Sequence, residues 1–456
     1  MAISREEHDI VQQATGAGVH MANGFDPAKG ARLEPKIAEL VARRDRALGP
    51  SYRLFYDEPV ALASASGLEL VGIDGRTYLD AYNNVPVIGH SHPAVTAAVS
   101  TQLQTLNTHT RYITESILDY SERLLGHFPA PLERVTYTCT GSEAIDLAVR
   151  IARHRTGRRG LIISEHAYHG TTVTAAGMSP SLGPNNPLGT DVVTIPSVDT
   201  AATPADQVGA KLAADVRAAA AQLEESGAGV AAVVLDSILS SDGVQTHPLG
   251  FLQPAEAVVR ELGALWIADE VQPGFGRTGT WWGFERHGIV PDLVVLGKPM
   301  GNGMPIAAVV GTLDAQASFG AEVRYFNTFA GNPVSIAAAT AVLDVIEGDE
   351  LVSHAAAMGT RLLDGLQELV QSHESAQHAR GAGLFAALDL GTPTSPDPEL
   401  AARVVNGMRQ SGVLISASGP AAASLKIRPP LPISSAQCDQ IVETLDAVLM
   451  EVERAR

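Results

Sequence analysis

The chain has 456 residues, a formal net charge of −18, and 45% hydrophobic against 18% charged residues, which suits a globular protein of two or three lobes. Its acidity argues against nucleic acid or an anionic membrane as partner. The two cysteines, Cys139 and Cys438, are far apart and support neither a disulfide framework nor a cysteine metal site. No apolar run approaches the roughly 20 residues of a membrane span. Met1 to Ile10 carries Arg5, Glu6, Glu7 and Asp9 and no apolar stretch, so no secretory signal is expected and the reducing cytoplasm is the expected compartment.

In chain order, residues 1–73 read as an N-terminal segment that joins the smaller domain and includes a predicted strand, Leu68 to Ile73. Residues 74–332 read as a large α/β domain. Short apolar runs recur there at Val135 to Thr138, Leu161 to Ile163, Val230 to Leu235, Leu265 to Ala268 and Leu293 to Leu296. Runs without polar alternation suit strands buried on both faces of a parallel sheet. Helical patterns lie between them, at Glu143 to Arg155, Gln207 to Glu225 and Pro254 to Leu262. Pro180 to Asn186 is a predicted loop. Residues 333–456 read as a smaller α+β domain: a helix from Pro333 to Ile346, strands at Gly381 to Leu390 and Ser424 to Ile427, and a closing helix from Ala436 to Arg454.

Four features of the large domain bear on chemistry. Asp269 ends an apolar run and begins Asp-Glu-Val-Gln-Pro-Gly-Phe-Gly-Arg-Thr-Gly. Ligands of open α/β sheets sit at the carboxyl ends of strands, where a carboxylate can pair with a cationic ring nitrogen. Taken alone, such an aspartate more often caps a helix or a turn. Lys298 ends the next run, in Leu-Gly-Lys-Pro-Met-Gly-Asn-Gly, where an amine beside glycines can form a Schiff base. Taken alone, it reads as a surface lysine. Thr138 to Glu143 is a small-residue loop opening a helix, which suits an anion as well as simple capping by Ser142. Tyr168-His169-Gly170 follows another run and offers either an aromatic face for a planar ring or a core aromatic beside a satisfied histidine. Phosphate anchor, ring face, ring-nitrogen partner and amine are together the needs of pyridoxal 5′-phosphate (PLP).

At this point the sequence resembles the class III, fold-type-I PLP aminotransferases, above all through Trp266 to Gly279 (WIADEVQPGFGRTG) followed by Gly297-Lys298. The resemblance implies a large domain with a mostly parallel seven-stranded sheet flanked by helices, plus a smaller α+β domain. It implies that Lys298 carries the cofactor, Asp269 pairs with its pyridine nitrogen and Gln272 lies near its 3-hydroxyl. Gly141 and Ser142 would hold the phosphate, Tyr168 would cover the ring, and Thr328 would reach the phosphate of a neighbouring subunit. A homodimer, or a dimer of dimers, is therefore expected.

Arg53 to Tyr56, Asn107 to Tyr112 and Gly297 to Pro305 resemble the phospholyase branch, which degrades O-phosphoethanolamine or phosphohydroxylysine; the last motif is shared with alanine–glyoxylate aminotransferases. Transaminases of the class generally carry arginine where this chain has Lys426, in Ser-Leu-Lys-Ile-Arg-Pro-Pro, and the phospholyases carry lysine there. Lysine lacks the guanidinium fork that matches a carboxylate. Arg428 lies two residues on, on the same face of a regular strand. Asp236-Ser237 stands where many transaminases have Glu-Pro and the phospholyases Glu-Ser, so Asp236 departs from both. The expected function is elimination of phosphate from O-phosphoethanolamine, giving acetaldehyde, ammonia and inorganic phosphate. The alternative is an ω-aminotransferase passing an amino group to pyruvate or glyoxylate. Candidate substrate contacts are Arg53, Tyr56, Asn84, Arg111, Lys426 and Arg428. His90 and His92 are read as part of a turn, and no metal is expected.

Overall fold

In the computed structural model, which describes residues 21, 23–27, 33–200, 202–392 and 394–455, the apolar runs become the centre of the molecule. The charged segment Met1 to Ile10 lies outside the described residues. Three short strands come first: β1 (Leu62–Ser66), β2 (Glu69–Gly72) and β3 (Thr77–Asp80). Seven more follow: β4 (Leu132–Thr138), β5 (Gly160–Ser164), β6 (Val192–Ile195), β7 (Val230–Asp236), β8 (Leu265–Asp269), β9 (Leu293–Leu296) and β10 (Ala307–Thr312). These seven form one sheet in the order β4-β10-β9-β8-β7-β5-β6. Only β10 runs against its neighbours, so the sheet is mostly parallel, as expected. Every residue of β5, β8 and β9 is buried. Helices cover both faces, which is why these strands show no polar alternation.

Helix α1 (Gly141–Thr156) links β4 to β5 and buries Ala144, Ile145, Leu147, Ala148, Val149, Ile151 and Ala152. Small residues alternate with branched ones on that face, so the helix packs closely on β7, β9 and β10. Helix α2 (Pro333–Gly348) opens the C-terminal part, with Asn332 as its N-cap. The long α3 (Leu351–Ser372) and the closing α4 (Ser435–Arg454) pack on each other.

The C-terminal strands are β11 (Ala376–Ala382), β12 (Phe385–Thr392), β13 (Ser395–Pro396), β14 (Val413–Leu414), β15 (Ser416–Ser418) and β16 (Ser424–Ile427). Five of them form a second sheet, in which β16 pairs with both β12 and β15. The remaining one, β14, pairs in parallel with β3 and so ties the N-terminal strands to the C-terminal part. One expectation is corrected here. Gly381 to Leu390 is not a single strand: it holds the end of β11, a tight turn at Gly383-Leu384 and most of β12. Gly383 turns the chain at φ 51°, a left-handed conformation that glycine adopts without a side-chain clash. Continuous apolarity across Ala382-Gly383-Leu384-Phe385 hides that turn in the sequence. Among the described residues no helix is long and apolar enough to cross a membrane.

Candidate active site

Because β7, β8 and β9 are parallel, their carboxyl ends meet at one edge, and Asp236 lies in register with Asp269. The Asp269 carboxylate accepts the Val271 N–H at 3.1 Å through Oδ1. Its Oδ2 lies 2.7 Å from His169 Nδ1, with the two side chains only 8% and 2% exposed. Lys298 follows the end of β9 and opens a short 3-10 turn. Burial holds its amine below the ordinary lysine range; Asp269 opposes that shift and Arg428 adds to it.

The N-terminus of α1 faces the same edge. Thr140 and Glu143 form a reciprocal capping box, with Thr140 Oγ1 accepting the Glu143 N–H at 3.2 Å. The Ala144 N–H goes to the Thr140 carbonyl. The Gly141 and Ser142 amides have no acceptor among the described residues. Two adjacent amides at a helix N-terminus are an anion site. The cradle is closed behind by glycine: a Cβ on Gly170 would fall 2.4 Å from Ser142 Oγ. Tyr168, 38% exposed, stands at the rim.

One cavity is lined by Gly141, Ser142, Tyr168, His169, Gly170, Asp236, Asp269, Val271, Gln272 and Lys298. Six of these, Gly141, Ser142, Tyr168, Asp269, Gln272 and Lys298, are cofactor contacts expected from the sequence. The set fits PLP: an amide cradle for its phosphate, a buried carboxylate for its ring nitrogen and a depressed lysine amine for its aldehyde. His169 was missed as a site residue. Its neighbour Tyr168 was the available signal, but the aspartate it holds is far away in sequence.

Behind this lining stand two cations of β16 and the residues just beyond it. Lys426 and Arg428 are 8% and 7% exposed. Burial drives the Lys426 amine well below its ordinary range, and Arg428 and Lys298 repel it further. Arg428 gives one N–H to Gln272 Oε1, while its buried Nε has no partner among the described residues. Its guanidinium lies 4.9 Å from the Tyr82 ring centroid. Burial and Asp269 raise the Asp236 carboxyl to about 6. Glu270, fully buried, is pushed up to about 8. It accepts from Ser237 Oγ at 2.5 Å, the Gly283 N–H at 2.7 Å and the Phe284 N–H at 3.0 Å, so it braces the neighbouring turn.

The other candidates do not line this cavity. Tyr56 is buried and its hydroxyl donates to the Ile415 carbonyl at 3.1 Å. Asn84 donates to the Gln272 carbonyl at 2.9 Å and accepts from Arg277 Nε at 2.9 Å, so both ends of its amide are used inside the fold. Arg53 is exposed. Arg111 is exposed and lies over the Phe326 ring, 3.7 Å from its centroid. Thr328 is exposed and outside the cavity. His90 Nε2 lies 2.6 Å from Asp80 Oδ2, and His92 caps the helix it precedes.

A parallel α/β sheet that brings a lysine, an aspartate and an anion-binding helix terminus to its carboxyl edge defines a PLP enzyme. Residues 55–449 match the family model described as aminotransferase class-III, and the chain belongs to that family. It is 37% identical over 435 residues to the alanine–glyoxylate aminotransferase 2-like protein of Drosophila melanogaster, covering 91% of this chain and 88% of that one. It is 35% identical over 440 residues to ethanolamine-phosphate phospho-lyase homolog 1 of Caenorhabditis elegans, covering 91% and 94%. A solved phospholyase from Arthrobacter in complex with phosphoethanolamine superposes with a TM-score of 0.87 at 41% identity, covering 90% of this chain and 99% of that one.

Proposed function

We propose that this chain is a PLP-dependent phospholyase that eliminates phosphate from O-phosphoethanolamine, giving acetaldehyde, ammonia and inorganic phosphate. The observation that carries the reading is the pair of cations Lys426 and Arg428, one on β16 and one just beyond it, both buried at 8% and 7% exposure, with Arg428 bonded to Gln272 of the cavity lining. A buried cation short of partners is costly, and an anion relieves that cost. A phosphate dianion would answer both cations. Lysine suits phosphate as a point charge, whereas a carboxylate is better matched by an arginine fork. The likeness to a phospholyase in complex with phosphoethanolamine supports the same choice.

When bound, the cofactor supplies a carbonyl for the substrate amine and a ring that accepts the electron pair left on the amine-bearing carbon. Lys298 takes the proton from that carbon; its depressed pKa keeps more of the amine free to accept it. Asp269, oriented by His169 and the Val271 amide, keeps a proton on the ring nitrogen through its negative charge. The Gly141 and Ser142 amides would hold the cofactor phosphate, Tyr168 would cover the ring, and Gln272 would serve its 3-hydroxyl side. Lys426 and Arg428 hold the leaving phosphate. As the C–O bond breaks, its electron pair departs with the phosphate oxygen and meets those two charges. Hydrolysis of the two-carbon remainder gives acetaldehyde and ammonia, and no keto acid is consumed. Thr328 serves the site of a second subunit. The exposed Tyr112, Ile113 and Phe329 supply apolar surface for a homodimer.

One observation favours the ω-aminotransferase instead: Arg428 retains a fork that can take a carboxylate. The test is the PLP-loaded protein with O-phosphoethanolamine and no keto acid. Sustained release of phosphate and acetaldehyde, absent in Lys298→Ala, supports the lyase. No release, with alanine formed from pyruvate and a simple amine, overturns it.

A further inference from the structure

Four side chains from three separate segments form a single hydrogen-bonded chain, two of whose members, Asp236 and Gln272, line the cavity. Asp236, at the end of β7, accepts the Ile238 N–H at 2.9 Å through Oδ1. Its Oδ2 accepts both the Ser240 N–H, at 3.1 Å, and the Ser240 hydroxyl. Ser240 Oγ in turn accepts from Gln272 Nε2 at 2.5 Å. Gln272 Oε1 accepts from Arg428 Nη1. Ser240 is fully buried, and Arg428 is 7% exposed.

The direction of every bond follows from the two charged ends, a carboxylate that only accepts and a guanidinium that only donates. An ionised carboxylate only accepts, so the single Ser240 proton is committed to Asp236. Ser240 Oγ is then left as an acceptor and must face the amide nitrogen of Gln272. The amide oxygen of Gln272 is thereby turned toward Arg428, where it anchors one arm of the guanidinium. Arg428 Nε remains buried without a partner among the described residues. Without an acceptor at Ser240 the Gln272 amide would be held at one end only and would fix the arginine less firmly.

We propose that Asp236 is the positioning residue of the substrate-anion site, acting through Ser240 and Gln272 to hold Arg428 ready for the anionic group of the substrate. The proposal rests on reading Lys426 and Arg428 as that anion site. Replacing Asp236 with asparagine keeps the shape and removes the rule. Whichever way the new amide is turned, its NH₂ faces a donor, either the Ile238 N–H or the Ser240 N–H. With its NH₂ toward Ser240, the serine hydroxyl is freed to donate to Gln272. A hydroxyl turned that way meets the Gln272 Nε2 donor, so the bond that anchors Gln272 beneath Arg428 is lost.

The test is sulfate binding to the PLP-loaded holoenzyme by calorimetry, with Asp236→Asn, Ser240→Ala and the double variant; thermal melts confirm that each folds. Sulfate stands in for the substrate phosphate, and the bound cofactor fills the other anion cradle. Each single variant is expected to weaken sulfate roughly tenfold, the scale of one charge-assisted hydrogen bond. The double variant should be no weaker than the worse single, because both break the same chain. In phosphoethanolamine kinetics the loss should fall on KM more than on kcat. Unchanged sulfate affinity in both singles, or losses that add in the double variant, would overturn the proposal; so would a wild-type holoenzyme that binds no millimolar sulfate. Should the wild type bind sulfate in this pattern yet release no phosphate from phosphoethanolamine, the positioning chain stands and the lyase reading falls.

Discussion

His169 Nδ1 and Asp269 Oδ2 stand 2.7 Å apart, buried together at the edge of the central sheet. A carboxylate meant to face a ring nitrogen has to be held in one orientation. The imidazole on Oδ2 and the Val271 amide on Oδ1 do so from two sides. His169→Ala removes one of these holds. A hydrogen bond to a charged group contributes about 1.5–3 kcal/mol, so kcat/KM is expected to fall about tenfold to a hundredfold. Steady-state kinetics at saturating PLP check this, and an unchanged rate would show that the histidine is only packing.

Lys426→Met should affect stability and function in opposite directions. The substitution keeps much of the volume and removes a buried charge that Arg428 and Lys298 already disfavour. In phosphate-free buffer its Tm is expected to equal or exceed that of the wild type. The KM for O-phosphoethanolamine is expected to rise at least about tenfold, the scale of one lost charge-assisted contact. A lower Tm with unchanged KM would assign Lys426 a structural role.

His373 provides a pH dependence away from the site. Its ring joins Asp446 at 2.7 Å and Glu453 at 3.0 Å, linking the end of α3 to α4. Burial alone would lower its pKa, but the hydrogen bonds to Glu453 and Asp446 together raise it above the ordinary histidine value. A raised folded-state pKa contributes stability that is fully present below the unfolded value, and that stability is lost as pH rises through the folded value. His373→Gln should therefore lower Tm most in acid, near pH 5.5, and progressively less above neutrality. A deficit that grows with pH would contradict this sign.

Gly383→Ala should destabilise the fold with no direct effect on the cavity. The residue adopts φ 51°, and an added Cβ would lie 2.5 Å from Gly279 N and 2.6 Å from the Arg277 carbonyl. The backbone conformation alone costs about 1–3 kcal/mol for a residue with a side chain, and the clash adds to it. A shift in the denaturant midpoint at constant slope would show the loss, and an unmoved midpoint would contradict the packing described.

Much of the large domain was legible because its strands are buried on both faces and stand out as apolar runs. Asp269 and Lys298 could be placed at strand ends for that reason, and Gly141-Ser142 at a helix start. What the sequence concealed depends on distant pairings. His169 meets Asp269 a hundred residues away. The chain from Asp236 to Arg428 joins segments whose association only the folded sheet creates. Tyr56 and Asn84 looked like pocket groups, yet they are used by the Ile415 carbonyl and by Arg277. The β11–β12 hairpin read as one strand because its turn is a glycine inside an apolar run.

The most direct test of the central claim is the partition of phosphoethanolamine in the presence and absence of pyruvate. The PLP-loaded wild type is expected to release phosphate and acetaldehyde in equal amounts at a rate that pyruvate does not change, with no alanine formed. Phosphate release that requires pyruvate, or alanine formed in step with substrate consumption, would contradict the account and make the chain an aminotransferase.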